Sequence, residues 1–234
     1  MSAAPEFSGL PIGPLVDATP ATRPSHTTLA GRLVTLVPLD AEAHGAALFA
    51  ATAGPGQDAL WLYMGDGPYA SLDTFREALR QKAASLDPLF FTIISNKTRE
   101  PVGYASYLRI DPANRAVEVG NIMFSRALQR TAAATEALFL LARHAFDVLG
   151  FRRYEWKCNA LNAPSRRAAE RLGFVFEGVF RQHMIVKGRN RDTAWFSMLV
   201  DEWPARKAAF ERWLAPENFD DEGHQRKTLE RILS

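Results

Sequence analysis

Between Gln129 and Glu136 the chain runs Gln-Arg-Thr-Ala-Ala-Ala-Thr-Glu, a stretch of small residues leading straight into one long amphipathic pattern. Apolar residues recur at Ala134, Leu138, Leu141, Ala145 and Val148 with the period of an α-helix, while Glu136, Arg143, His144 and Asp147 fall mostly on the other face. Gly150 supplies the stop. This order predicts a strand exit, a tight loop and a helix whose first N–H groups have no intrahelical partner. Small side chains at the entrance leave those amides accessible, and with the helix dipole they suit a pyrophosphate. Taken alone, the same alanines also suit plain close packing against a sheet.

The rest of the pattern is mixed α/β. Residues 1–28, with Pro5, Pro11, Pro14, Pro20 and Pro24, read as an extended or disordered arm. Arg32–Pro38 reads as a first strand, and Asp40 as the cap of a helix through Ala43, Leu48 and Phe49. The Gly- and aromatic-rich segment from Gly54 to Ala70, with Trp61, Tyr63 and Tyr69, reads as a substrate-side loop, after which Ser71 caps a second helix. Strands follow near Leu89–Ser95, Val102–Ile110 and Ala116–Phe124, and after the long helix at Phe151–Cys158. A helix from Asn162 to Leu172 precedes a hairpin with arms near Phe174–Val186 and Asp192–Val200, and a charged helical tail occupies 204–234. One strand–helix–strand crossover within a mostly antiparallel sheet accounts for this order, with residues 29–203 as the main domain.

Two further stretches join the small-residue loop. Asn162-Ala163-Pro164-Ser165 opens a helix that ends in Leu172-Gly173-Phe174, and Phe176-Glu177-Gly178-Val179-Phe180-Arg181 follows. Together with Gln129-x-x-Ala132-x-Ala134 they resemble the ordered signatures of the GNAT N-acetyltransferase superfamily, in the branch of the ribosomal-protein N-acetyltransferases. The resemblance covers roughly residues 30 to 203. It implies a central, mostly antiparallel twisted sheet, splayed at the fourth and fifth strands (Ala116–Phe124 and Phe151–Cys158), with helices on both faces. It also implies acetyl-CoA as cosubstrate, or succinyl-CoA, which some close relatives look built to use. Gln129, Arg130, Thr131, Ala132, Ala133, Ala134 and Thr135 would grip its pyrophosphate, and Met123 and Phe124 its pantetheine by strand addition. Two departures stand out. Ala132 replaces the usual loop glycine and so requires an ordinary negative φ, and Ala169 stands where many relatives have a tyrosine acid.

Acyl transfer to an amine needs a base, a donor for the departing thiolate and N–H groups for the oxyanion. Glu118 is the candidate base. Alternation over Val117–Phe124 puts Glu118, Gly120, Ile122 and Phe124 on one face and Val117, Val119, Asn121 and Met123 on the other. A mid-strand carboxylate among apolar neighbours is desolvated, which raises its pKa, whereas pairing with Arg109 or Arg115 makes it a plain rim glutamate. Ser165 is the candidate acid on the resemblance, and a first-turn helix residue otherwise; Asn162 would on the same resemblance contact pantetheine or the preceding carbonyls, and is a plain helix cap otherwise. Arg166 and Arg167 can meet phosphate, although Arg166 can also pair with Glu170. Tyr69, Arg181, His183 and Lys187 are the candidate acceptor contacts, and the basic hairpin suits either a carboxylate-bearing ligand or open solvent. Cys158 has no neighbouring His to lower its pKa, which favours direct transfer over a cysteine intermediate. The histidines lack i+4 partners, so no metal is expected.

Composition narrows the partners. A net charge of only +2 argues against nucleic acid as a ligand. A lone cysteine excludes an intrachain disulfide framework, and no signal peptide or membrane-spanning run is visible, so a cytoplasmic place is expected. The expected partners are a coenzyme A thioester and a primary amine, on a peptide N-terminus or an amino-acid-like small molecule. The aromatic group Trp195, Trp203, Phe210 and Trp213 is a candidate homodimer surface. A non-catalytic acyl-CoA-sensing module on the same scaffold is the alternative function.

Overall fold

A computed structural model of the chain describes residues 11–233, so residues 1–10 of the expected arm and the final Ser234 lie outside the described residues. Strands β1 (Leu29–Ala30) and β2 (Val34–Pro38) lead to helix α1 (Ala41–Thr52), where the Asp40 carboxylate accepts the Glu42 and Ala43 N–H groups. Ser71 caps α2 (Leu72–Ala84) in the same way, accepting from Thr74. Strands β3 (Leu89–Ser95), β4 (Pro101–Asp111) and β5 (Ala116–Phe124) form an antiparallel meander. Helix α3 (Ala132–Arg143) then crosses over to β6 (Arg153–Asn159), and α4 (Ala163–Arg171) precedes the hairpin of β7 (Val175–Val186) and β8 (Arg189–Leu199). Helices α5 (Trp203–Leu214) and α6 (Leu229–Leu233) close the chain.

The eight strands lie in the order β1-β2-β3-β4-β5-β6-β8-β7, and every neighbouring pair is antiparallel except β5–β6. That parallel pair holds only from Ala116 opposite Arg153 to Val119 opposite Trp156. Beyond it β5 stays with β4 and β6 stays with β8, so the sheet opens into a splay.

A bulge sits where the opening begins. Met123 pairs with Tyr104 and Gly120 with Ser106, so Asn121 and Ile122 together face the single residue Ala105, and Asn121 takes φ 49°. The bulge breaks the expected alternation of β5. Val117 and Val119 join the core under α3, but Met123 turns to the opposite core with Phe90 and Tyr104, and Phe124 returns to the α3 side. Gly103 allows the close approach here, since a Cβ at that position would lie 2.4 Å from the Met123 carbonyl oxygen.

Helices α1 and α2 cover one face through Leu48, Phe75 and Leu79, while α3 and α5 cover the other. The faces of α3 differ from the expected stripe in three places. Glu136 is buried because its carboxylate accepts the N–H groups of Arg32, Leu33 and Val34 at 3.0, 2.6 and 2.9 Å, tying down the start of β2. The last turn, His144–Val148, widens to a π-helix, and this shift of phase turns His144 inward and Val148 out to 68% exposure. Trp203, Phe210 and Trp213, expected at a homodimer surface, are buried within this chain itself. Trp203 stacks on Phe146 at 5.0 Å, Phe210 meets Phe139 at 5.3 Å, and Trp213 meets Phe219 at 5.3 Å, all of them inside this chain's own core.

Candidate active site

At the entrance of α3 the Thr131 hydroxyl accepts the Ala134 N–H at 3.2 Å, and the Gln129 side chain donates to the Phe124 carbonyl at 3.0 Å. Gln129 thus braces the loop. Arg130 supplies the left-handed turn with φ 63°, and Ala132 takes an ordinary helical conformation as the first residue of α3. Among the described residues, the backbone N–H groups of Arg130, Thr131, Ala132 and Ala133 have no hydrogen-bond acceptor, and none of the four residues is fully buried. They make a row of open donors at the positive end of a helix dipole. Thr135, one turn in, accepts from Arg171 at 3.1 Å.

Glu118 projects from β5 on the face opposite α3, is 3% exposed, and lies at the last stretch of β5–β6 pairing. Its nearest cationic contacts are both on Oε2, from Arg109 at 2.6 Å and from Lys157 at 3.0 Å. Lys157 also pairs with Glu155 and lies 3.8 Å from the Trp195 ring centroid. The Glu155 carboxyl resists burial through Lys157 and Arg153 and sits below its ordinary value. Arg153 continues the row to Glu177, whose carboxylate also accepts from Ser197.

Ser165 reaches the splay from the other face. Its N–H donates to Asn162 Oδ1 at 3.1 Å, and its hydroxyl accepts the Trp156 indole N–H at 3.0 Å. Glu118 and Ser165 therefore approach the opening from opposite sides of the sheet. Burial pushes the neighbouring Cys158 thiol up, against a smaller pull from Ser165. Arg166 lies 5.6 Å from the Phe176 ring and forms no close ion pair with Glu170, and Arg167 is exposed.

The aromatic loop lies over the open ends of β5 and β6 and is tied down from three directions. Arg126, just past β5, donates to the Gly56 carbonyl and to Gln57, Tyr63 donates to the Leu161 carbonyl before α4, and Lys187 at the hairpin tip donates to the Trp61 carbonyl at 2.9 Å. Trp61 is fully buried, with Tyr69 edge-on at 5.1 Å. Tyr69 donates to Asp66, which also meets Lys82; those partners outweigh burial and keep the Asp66 carboxyl low. His183 pairs with Thr193 at 3.0 Å, and Arg181 is exposed.

A sequence model of the acetyltransferase (GNAT) domain matches residues 33–175. This chain belongs to the GNAT family. The acetyltransferase is 49% identical to a solved GCN5-related N-acetyltransferase from Brucella melitensis, with a TM-score of 0.91 over 93% of this chain and 98% of that one. It is 28% identical to YdaF of Bacillus subtilis (strain 168), provisionally named a ribosomal N-acetyltransferase, over 63% of this chain and 80% of that protein. It is 29% identical to the ribosomal-protein-serine acetyltransferase of Escherichia coli (strain K12), over 45% of this chain and 58% of that one. GNAT acetyltransferases use acetyl-CoA as cosubstrate, and this member is an acyltransferase of that class.

Several residues of the acetyltransferase's site escape a first reading of the sequence. The Lys157 side chain is as buried as that of Glu118, and Arg153, Glu155 and Lys157 follow one another along one face of β6 with alternating sign, a visible signal for a charge row. The hairpin turn is tighter than expected, at Lys187-Gly188 with φ 49° and 71°, so Arg191 lies within β8 and not at a solvated tip. His224, expected to lack an i+4 partner, has Asp220 in that place, and with Glu222 their ligand atoms gather within 4.8 Å on an exposed turn. No helix among the described residues is long and apolar enough to cross a membrane.

Proposed function

We propose that this acetyltransferase moves the acetyl group of acetyl-CoA directly onto a primary amine of a peptide N-terminus or an amino-acid-like small molecule. The observation that carries the reading is the run of four open amides from Arg130 to Ala133 beside a strand pair that parts after Val119. The pyrophosphate accepts from those amides, with Arg130, Arg166 and Arg167 able to meet its charges. Pantetheine pairs with the freed edge of β5 at Met123 and Phe124.

The amine enters from the Glu118 face. Glu118, through water, takes a proton from the amine nitrogen as the N–C bond forms, while N–H groups at the opened edge of β5 stabilise the oxyanion. The C–S bond then breaks, and the Ser165 hydroxyl, oriented by the Trp156 indole, gives its proton to the departing thiolate and regains one from solvent, while Glu118 releases the amine proton to solvent. Tyr69, Arg181, His183 and Lys187 surround the acceptor. The raised Cys158 thiol fits a route with no acyl-cysteine. This chemistry is placed in the cytoplasm, where acetyl-CoA is made and used.

Thiol release from acetyl-CoA, measured across peptides and amino-acid-like amines, tests the reading. Amine-dependent release is expected, with a rise in melting temperature on adding acetyl-CoA. Tight acetyl-CoA binding with no release for any amine would leave only a sensing module, and larger thermal shifts and faster release with succinyl-CoA would change the donor.

A further inference from the structure

The face of the sheet that carries Glu118 holds polar groups that the transfer chemistry leaves unused. The Arg191 side chain makes no hydrogen bond or close ion pair among the described residues, and its Nε is shut off from solvent. Trp195 lies on the same face of β8, and its Nε1 is likewise enclosed without a partner. Both groups are donors only, and enclosed donors without acceptors are rare in a folded chain.

The charges point the same way. Along this face Arg109, Arg153 and Lys157 are matched by Glu118, Glu155 and Glu177. Arg191 is in none of these pairs; burial holds its guanidinium below the ordinary value, and Glu118, Cys158 and Arg109 act on it from nearby. Next to Trp195 stand Phe180 at 4.5 Å and His183 at 6.0 Å, and these two, with Arg181 and Gln182, line an open hollow of about 610 Å³.

We infer that Arg191 and Trp195 anchor a carboxylate of the acceptor, so that the preferred amine is one that also carries a free carboxylate. The inference rests on the acetyl-transfer reading above and narrows its substrate class. A carboxylate supplies only acceptors, its two oxygens match the guanidinium fork, and the indole N–H adds a third contact. The matching group can come from the acceptor or from a dicarboxylic acyl chain. The acceptor is favoured because Trp195 borders the hollow through Phe180 and His183, on the face away from α3, where the coenzyme is proposed to bind.

The test offers amino acids with the carboxylate free and as the primary amide, using acetyl-CoA with wild type, R191Q, R191K and W195F. The free acids should be preferred in kcat/KM by about ten- to a hundredfold, the size of a hydrogen-bonded charge contact. R191Q should erase that preference, raising KM for the acids far more than for the amides, R191K should restore part of it, and W195F should give a smaller loss. Equal use of acids and amides by wild type, or an equal loss for both in R191Q, overturns the inference. A wild-type preference for succinyl-CoA that R191Q removes assigns the carboxylate to the donor and also overturns it. If no amine in either form releases thiol, the transfer reading fails. Calorimetric titration of N-acetyl amino acids and their amides into wild type and R191Q then decides the anchor by itself, since only a carboxylate anchor binds the acids more tightly and loses that advantage in the variant.

Discussion

Lys157 and Glu118 meet at 3.0 Å where β5 and β6 part, with side chains 3% and 4% exposed. A carboxylate this enclosed is stable only with partners, and the two cations on its Oε2 provide them. The nearest approach of each cation is to Oε2, and the Arg109 hydrogen bond falls there too.

Glu118→Gln should lower kcat/KM by about 10²- to 10⁴-fold at neutral pH, the range of a general base, and by much less at a pH where the amine is already unprotonated. The fold should survive, because Lys157 keeps Glu155 as a partner. Rate profiles against pH for both proteins check this. An equal loss at both ends removes Glu118 as base and leaves it a structural ion-pair member.

Lys187→Met and Tyr63→Phe should each free one tie of the aromatic loop, since Lys187 holds the Trp61 carbonyl and Tyr63 the Leu161 carbonyl. Looser closure should raise KM for the acceptor and increase acetyl-CoA hydrolysis without amine, while coenzyme affinity holds. Acceptor-free thiol release in the variants measures the effect. Unchanged release and unchanged KM would show that these ties do not close the site.

His144 should make stability depend on pH. Burial holds its imidazole below the ordinary value of 6.5, so the unfolded chain takes up a proton first as pH falls. Stability is therefore full above 6.5 and declines from there down toward the lower folded value. His44, also lowered by burial against the pull of Asp40, adds to the same slope. Urea unfolding across this window should show a shallower decline for His144→Gln than for wild type, and identical slopes would contradict the assignment.

Much of this architecture is legible in the residues because local signals agree with the fold. Asp40 and Ser71 cap the helices they were expected to cap, and Gly150, at φ 75°, ends the turn after α3. What escapes the reading depends on contacts between distant segments. Nothing near Glu136 announces the Arg32–Val34 amides that draw it inward, and simple alternation does not foresee a bulge at Asn121. The site divides the same way. The open amides follow from a run of small residues, whereas the company of Glu118 depends on β4, β5 and β6 aligning Arg109 and Lys157.

The most direct test of the account is coenzyme A affinity in Ala132→Pro, measured by calorimetry. Ala134 serves less well, because its N–H is already taken by Thr131 and its methyl group lies in the core. Proline at the first helical position removes one donor from the row, and Thr131 already holds the extended backbone, φ −106° and ψ 163°, that a following proline requires. The variant should melt as wild type does without ligand and bind coenzyme A about ten- to a hundredfold more weakly, the loss of one hydrogen bond to a charged group. An unchanged dissociation constant with an intact fold would mean that the carrier is held elsewhere.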